Sequence, residues 1–221
     1  NQADEMGESF YFKVNGHPVF MKGANYIPDD SFIHRVNAQR HQQVFDAVVA
    51  GNMNMLRVWG GGIYQDDTFY ELADRNGILI WQDFMFACTL YPADEAFLAN
   101  VKQEAEYNVK RLRNHPCIAM WCGNNEVDMA IEKWQWAEKF DYSDELYERL
   151  KQDYIRLFDD CLPKVINSLD AQRFYLRSSP IGFWENDEDN KANHHYWGVW
   201  HGEEPFSEYK KRVPRFMSEY G

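Results

Sequence analysis

Two glutamates stand where short apolar runs give way to polar residues. Met120-Trp121-Cys122-Gly123 leads into Asn124-Asn125-Glu126, and Val213-Pro214-Arg215-Phe216-Met217 leads into Ser218-Glu219-Tyr220-Gly221. An apolar run ending in amides and a carboxylate is what a buried parallel strand presents at its C-terminal end. Two such exits predict two carboxyl groups at one mouth. A carboxyl pair flanking one bond is the equipment of glycoside hydrolysis. Other exits carry candidates of different types: Arg57 and Trp59 before Gly60-Gly61-Gly62, Asp83 after Ile78-Leu79-Ile80-Trp81-Gln82, and His194-His195-Tyr196-Trp197.

The elements that must position these groups alternate. Phe10, Phe12 and Val14 alternate with Tyr11 and Lys13, and Asn15-Gly16 turns the chain. Buried strands are expected at Val19–Tyr26, Met53–Trp59, Ile78–Asp83, the stretch closing at Glu126, Phe174–Ser179, His194–Trp197 and the stretch closing at Glu219. Between them lie helices over 38–51, 66–75, 94–113 and 143–168, the last kinked or divided at Pro163, and a short helix near 206–211. A long loop carrying Trp134 and Trp136 is expected over 127–144, and an exposed acidic loop over 185–190. Strands alternating with amphipathic helices mean parallel pairing. Seven such units with polar exits predict an α/β fold, a (β/α)8 TIM barrel truncated after its seventh strand. A doubly wound sheet is the competing architecture, without its dinucleotide version, because no Gly-x-Gly-x-x-Gly follows the first strand.

Composition narrows the function classes. The 221 residues are 45% hydrophobic and 16% aromatic, enough for a sizeable core. A formal charge of −12 argues against a nucleic-acid groove, and no apolar run of about 18 residues spans a membrane. Cys88, Cys117, Cys122 and Cys161 show no zinc spacing and sit among apolar neighbours, so buried free thiols are expected. The opening Asn1-Gln2-Ala3-Asp4-Glu5 reads as a cut inside a longer protein, with residues 1–11 left over from an upstream module.

Five stretches carry a family resemblance. Lys22-Gly23-Ala24-Asn25-Tyr26-Ile27-Pro28, Leu56-Arg57-Val58-Trp59-Gly60-Gly61-Gly62, Trp81-Gln82-Asp83-Phe84-Met85-Phe86-Ala87-Cys88, Gly123-Asn124-Asn125-Glu126 and Ser218-Glu219-Tyr220-Gly221 resemble the family 2 glycoside hydrolases, in the order expected there. The β-mannosidase branch fits best, because Ala24–Pro28 stands where the β-galactosidase and β-glucuronidase branches carry a histidine-containing turn. The resemblance covers residues 12–221 and implies a catalytic barrel behind upstream β-sandwich modules.

It further implies a retaining exo-β-mannosidase without metal or cofactor, acting on a terminal β-mannoside or manno-oligosaccharide. Glu126 is the matching acid/base and Glu219 the matching nucleophile. Retention needs the two carboxyls about 5–5.5 Å apart, inversion about 6.5–9.5 Å. Asn125 matches the residue that hydrogen-bonds the sugar 2-hydroxyl. Arg57 is the cation expected to keep Glu219 ionised, and Tyr196 a hydrogen-bonding neighbour of the nucleophile. Trp59, Trp134 and Trp197 are candidate sugar platforms, with core packing as the competing role. His195 is favoured over His194 as the inward histidine, while Asp83 stands evenly between a sugar hydroxyl and a brace for Arg57. The resemblance leans to a periplasmic or lysosomal compartment over a cytoplasmic one. Another family 2 β-glycosidase and a non-catalytic carbohydrate-binding barrel remain open beside this reading.

Overall fold

The computed structural model describes residues 2–183 and 188–221. The chain divides into two compact units, one made of 22–178 and one of 1–21 with 179–221.

The second of these begins with two antiparallel hairpins. Strands β1 (Gln2–Asp4) and β2 (Gly7–Ser9) pair, and so do β3 (Phe12–Val14) and β4 (His17–Val19). The Asn15-Gly16 turn between β3 and β4 has positive φ at both residues, the tight turn this dipeptide favours. The expected strand over Val19–Tyr26 is therefore corrected. Val19 closes the hairpin, Phe20 is 84% exposed, and a parallel strand starts only at Gly23. The apolar run is shared by two elements that face different neighbours, and a hydrophobicity pattern alone does not show that division.

In the unit 22–178, strands β5 (Gly23–Tyr26), β6 (Met55–Val58), β7 (Leu79–Asp83), β8 (Ile118–Cys122) and β9 (Phe174–Leu176) form one parallel sheet in chain order. Its register sets Asn25 beside Arg57, Arg57 beside Trp81, and Asp83 beside Cys122. Helices α1 (Ala38–Ala50), α2 (Asp67–Asn76) and α3 (Glu95–Leu112) connect the first four strands. Each starts on a side chain that accepts a free helix-end N–H: Asn37, Asp66 and Asp94. Gly51 and Gly77 stop the first two, and Gly77 takes the left-handed conformation, with φ +66°. The core is largely aromatic and aliphatic, with Phe45, Phe69, Tyr70, Ile80, Trp121 and Phe158 fully enclosed.

One connection differs from expectation, and the division expected near Pro163 is present. The stretch after Glu126 is not a loop but two short helices, α4 (Val127–Lys133) and α5 (Trp136–Lys139). The long helix that follows is interrupted before Pro163. Helix α6 (Asp144–Ile155), capped by Ser143, passes into a π-helical turn at Arg156–Cys161, and α7 (Leu162–Leu169) resumes with Pro163 in its first turn. Proline has no N–H to return to the preceding turn, so the ladder must be rearranged there.

The other unit carries β10 (Gly182–Phe183), β11 (His194–Tyr196) and β12 (Met217–Tyr220), parallel and in chain order. The two-residue β10 lies outside the seven expected strands. A 3-10 turn at Phe206–Lys210 stands where a short helix is expected. Residues 185–187 of the expected acidic loop lie outside the described residues. All four cysteines are free, but only Cys117 and Cys122 are buried, with Cys88 and Cys161 half-buried. Both units therefore contain a parallel sheet, accompanied by two antiparallel hairpins in the smaller one, and helices connect the strands of the larger one. No described helix is long and apolar enough to cross a membrane.

Candidate active site

Within the unit 22–178, the C-terminal ends of β5 to β8 hold a chain of polar side chains. Arg57 is buried inside a strand, which is costly for a cation unless it is fully paired. Asp83 supplies that pairing two-pronged, Nε to Oδ1 at 3.2 Å and Nη2 to Oδ2 at 2.9 Å. Asp83 also accepts the Trp81 indole N–H at 2.9 Å and the Gly60 N–H at 3.0 Å. A Cβ at Gly60 would lie 2.6 Å from the Phe86 carbonyl oxygen, so the backbone reaches Asp83 there only without a side chain. Of the two roles open to Asp83, the brace on Arg57 is therefore formed. Arg57 Nη1 further reaches Asn25 Oδ1 at 3.3 Å, and Nη2 reaches Asn125 Oδ1 at 2.8 Å.

Strand β8 ends at Cys122, so the amides and the carboxylate lie on the turn beyond it rather than on the strand. Asn124 organises that turn. Its Oδ1 accepts from Val127 N at 3.0 Å and from the Ser178 hydroxyl at 2.7 Å, and its Nδ2 donates to Arg177 O at 2.9 Å. Glu126 occupies the residue before α4 with φ +59° and makes no side-chain capping bond. Asn124 rather than Glu126 thus accepts the N–H at the start of α4. Glu126 is 8% exposed, and its Oε2 lies 3.6 Å from the Cys88 sulfur.

In the other unit, β11 and β12 set His195 beside Glu219 in register. Glu219 is 7% exposed, and its Oε2 stands 3.4 Å from His195 Nδ1. His195 Nε2 is 3.0 Å from the Ser179 hydroxyl, which also donates to Asn193 Oδ1 at 2.8 Å. The ring is thus held at both nitrogens, with one edge on the carboxylate. His194 points to Asp189 instead, with Nε2 and Oδ1 3.2 Å apart. Burial pushes the His194 imidazole below its ordinary value, partly opposed by Asp189. Tyr196 is enclosed and donates to Glu204. Burial, then Glu204, pushes its hydroxyl up to about 12, so it stays a donor at neutral pH.

The three tryptophans are half-buried. Trp59 packs over Gly61 and Trp197 over Gly221, while Trp134 meets Trp136 edge to face at 5.6 Å. The contacts of Asn25, Asn124, Cys88 and Ser179 were not singled out from the sequence. Asn25 and Asn124 lie inside stretches already quoted for their resemblance. Cys88 also closes such a stretch, but as one of four expected buried thiols; Ser179 gave no signal, because a hydroxyl is an ordinary residue until a fold brings it to an imidazole. Elsewhere Asp74, His115 and Cys117 gather ligand-type atoms within 4.8 Å of one another. Hydrogen bonds already tie this group together: His115 Nδ1 to Asp74 at 2.7 Å and Cys117 N to Asp74 at 2.9 Å.

No family model matches the chain. Known proteins do. Mouse β-mannosidase is 42% identical over 223 residues, covering 97% of this chain and 25% of the mouse protein. The crystal structure of a β-D-mannosidase from Dictyoglomus thermophilum matches with a TM-score of 0.87 at 45% identity, over 100% of this chain and 26% of that one. The chain is a β-mannosidase-like segment of glycoside hydrolase family 2. It spans about a quarter of the length of these relatives. A β-glucuronidase structure from Bacteroides uniformis, with a TM-score of 0.69 at 18% identity, covers 96% of this chain and 26% of its own, and shares the fold alone. The family 2 segment therefore combines an α/β glycosidase fold with a nine-tenths-buried glutamate in each of its units.

Proposed function

We propose that this segment carries the catalytic carboxyls of a retaining exo-β-mannosidase. One observation supports the reading above the others. Each unit holds a buried glutamate, Glu126 on the turn after a parallel strand with Cys88 against it and Glu219 within a parallel strand with His195 against it. The parallel strands are read as consecutive members of a (β/α)8 barrel, with residues 12–221 as its catalytic domain and 1–11 as the end of a preceding module.

In this mechanism Glu219 attacks the anomeric carbon while Glu126 protonates the departing oxygen. Water then hydrolyses the glycosyl ester, with Glu126 acting as base. The first step requires Glu126 to carry the proton, and this residue is only 8% exposed. Asn125, held by Arg57, offers its amide to the sugar 2-hydroxyl, a contact that strengthens as positive charge develops. Arg57 is assigned to holding Asn125, and His195 to orienting the nucleophile. Trp59, Trp134 and Trp197 are assigned to the sugar faces, and Tyr196 to hydrogen bonding near the nucleophile.

The test is a panel of nitrophenyl β-glycosides with the full natural chain, wild type and Glu219→Ala. The reading predicts turnover of the mannoside in preference to the glucuronide and galactoside, abolished by the substitution. Preference for another sugar would replace the substrate but keep the chemistry. Turnover untouched in Glu219→Ala would remove the nucleophile. Binding without turnover in the wild type would leave a carbohydrate-binding barrel.

A further inference from the structure

The half-buried thiol of Cys88 lies against the two residues on which the acid step depends. The chain leaving β7 runs alongside the turn after β8. Asn125 N donates to Phe86 O at 2.9 Å, Cys88 N donates to Asn125 O at 2.9 Å, and Ala87 pairs with Asn125 in a parallel bridge. Cys88 is thereby fastened around Asn125. Its backbone sits in the left-handed region, φ +50°, which is unfavourable for a residue with a Cβ and persists only where the surroundings enforce it. In that conformation Sγ stands 3.3 Å from Asn125 Nδ2 and 3.6 Å from Glu126 Oε2. A thiol has one weak donor and a weak acceptor sulfur. The Asn125 amide donates to the sulfur, and the S–H points to the carboxyl.

The Asn125 amide is consequently gripped from both ends, by Arg57 on Oδ1 and by Cys88 on Nδ2. The polar chain runs Asp83, Arg57, Asn125, Cys88, Glu126. We propose that Cys88 is a positioning residue for proton transfer. Its thiol holds the Glu126 carboxyl at one rotation and links it to the amide that meets the sugar. This rests on Glu126 being the acid/base. An acid must present its proton within hydrogen-bond reach of the leaving oxygen, so freedom of the carboxyl costs rate in the glycosylation step, which kcat/KM reports.

The experiment compares Cys88→Ala with wild type in the full natural chain, using two aryl β-mannosides. One has a poor leaving group that needs protonation, and the other is a dinitrophenyl mannoside that leaves nearly unaided. The expected loss of kcat/KM is about fivefold for the first, the factor of one hydrogen bond, and less than twofold for the second. The upper limb of the pH profile moves to higher pH, because a donor to the ionised carboxylate has gone. Cys88→Gly removes the same thiol while relieving the left-handed backbone, and gives the same pattern if the alanine variant folds poorly. Equal losses on both substrates, or none on either, would overturn the proposal. Glu126→Ala is the control that separates the two readings. A loss in that variant independent of leaving group would remove the acid/base assignment itself. A dependence there but not in the Cys88 variants would remove only Cys88.

Discussion

At the residue scale, the decisive contacts are those that make buried charge tolerable. Arg57 and Asp83 lie inside the sheet with four hydrogen bonds on the carboxylate, an arrangement stable only when complete. Removing one partner leaves the other charge buried and alone. Asp83→Ala is therefore expected to cost about 3–5 kcal/mol, seen as a lowered unfolding midpoint of the full natural chain. A change below about 1 kcal/mol would mean that the pair is not buried as described. Residue types announced much of this. Glu126, Glu219, Arg57 and Asp83 each stand at the end of an apolar run, where a charge in the sequence demands a reason. The direction of each side chain was not legible. Whether Asp83 meets a sugar or a guanidinium depends on Trp81 and Gly60, which reach it by register and by close backbone approach. Cys88 was hidden for the same reason.

At the element scale, helix starts were readable because local chemistry fixes them. Asn37, Asp66, Asp94 and Ser143 each begin a helix within a residue or so of expectation. Elements divided by tertiary contacts were not readable. Val19 joins a hairpin although it continues an apolar run into Gly23–Tyr26, and α4 and α5 occupy a stretch whose short helices are too brief for a periodic pattern. At the N-terminal edge of the same sheet, α2 is tied to the start of β8 through Asp74. Burial pushes that carboxyl up, but hydrogen bonds from Cys117 and His115 outweigh it and hold the group below the usual carboxylate range. A depressed folded value stabilises the native state above the unfolded value of about 3.9, and that stability is lost as pH falls through the folded value. Asp74→Asn should therefore be less stable than wild type at neutral pH, with the gap closing in acid below about pH 4. Urea unfolding at a series of pH values measures it, and a gap independent of pH would contradict the assignment.

At the scale of the whole molecule, the chain matches about a quarter of each β-mannosidase considered, and the two proposed catalytic residues come from its two units. The account requires that the natural protein bring them to opposite sides of one glycosidic bond, the nucleophile below the ring and the acid beside the leaving oxygen. The most direct measurement uses a 2-deoxy-2-fluoro mannosyl donor with a good leaving group. The fluorine slows hydrolysis of the covalent intermediate, so the residue that attacked the sugar keeps it. Peptide mapping by mass spectrometry of the inactivated natural chain should find one mannosyl ester, on Glu219. A label on Glu126 or any other residue, or an enzyme that turns over mannosides yet never forms an ester, would contradict the account.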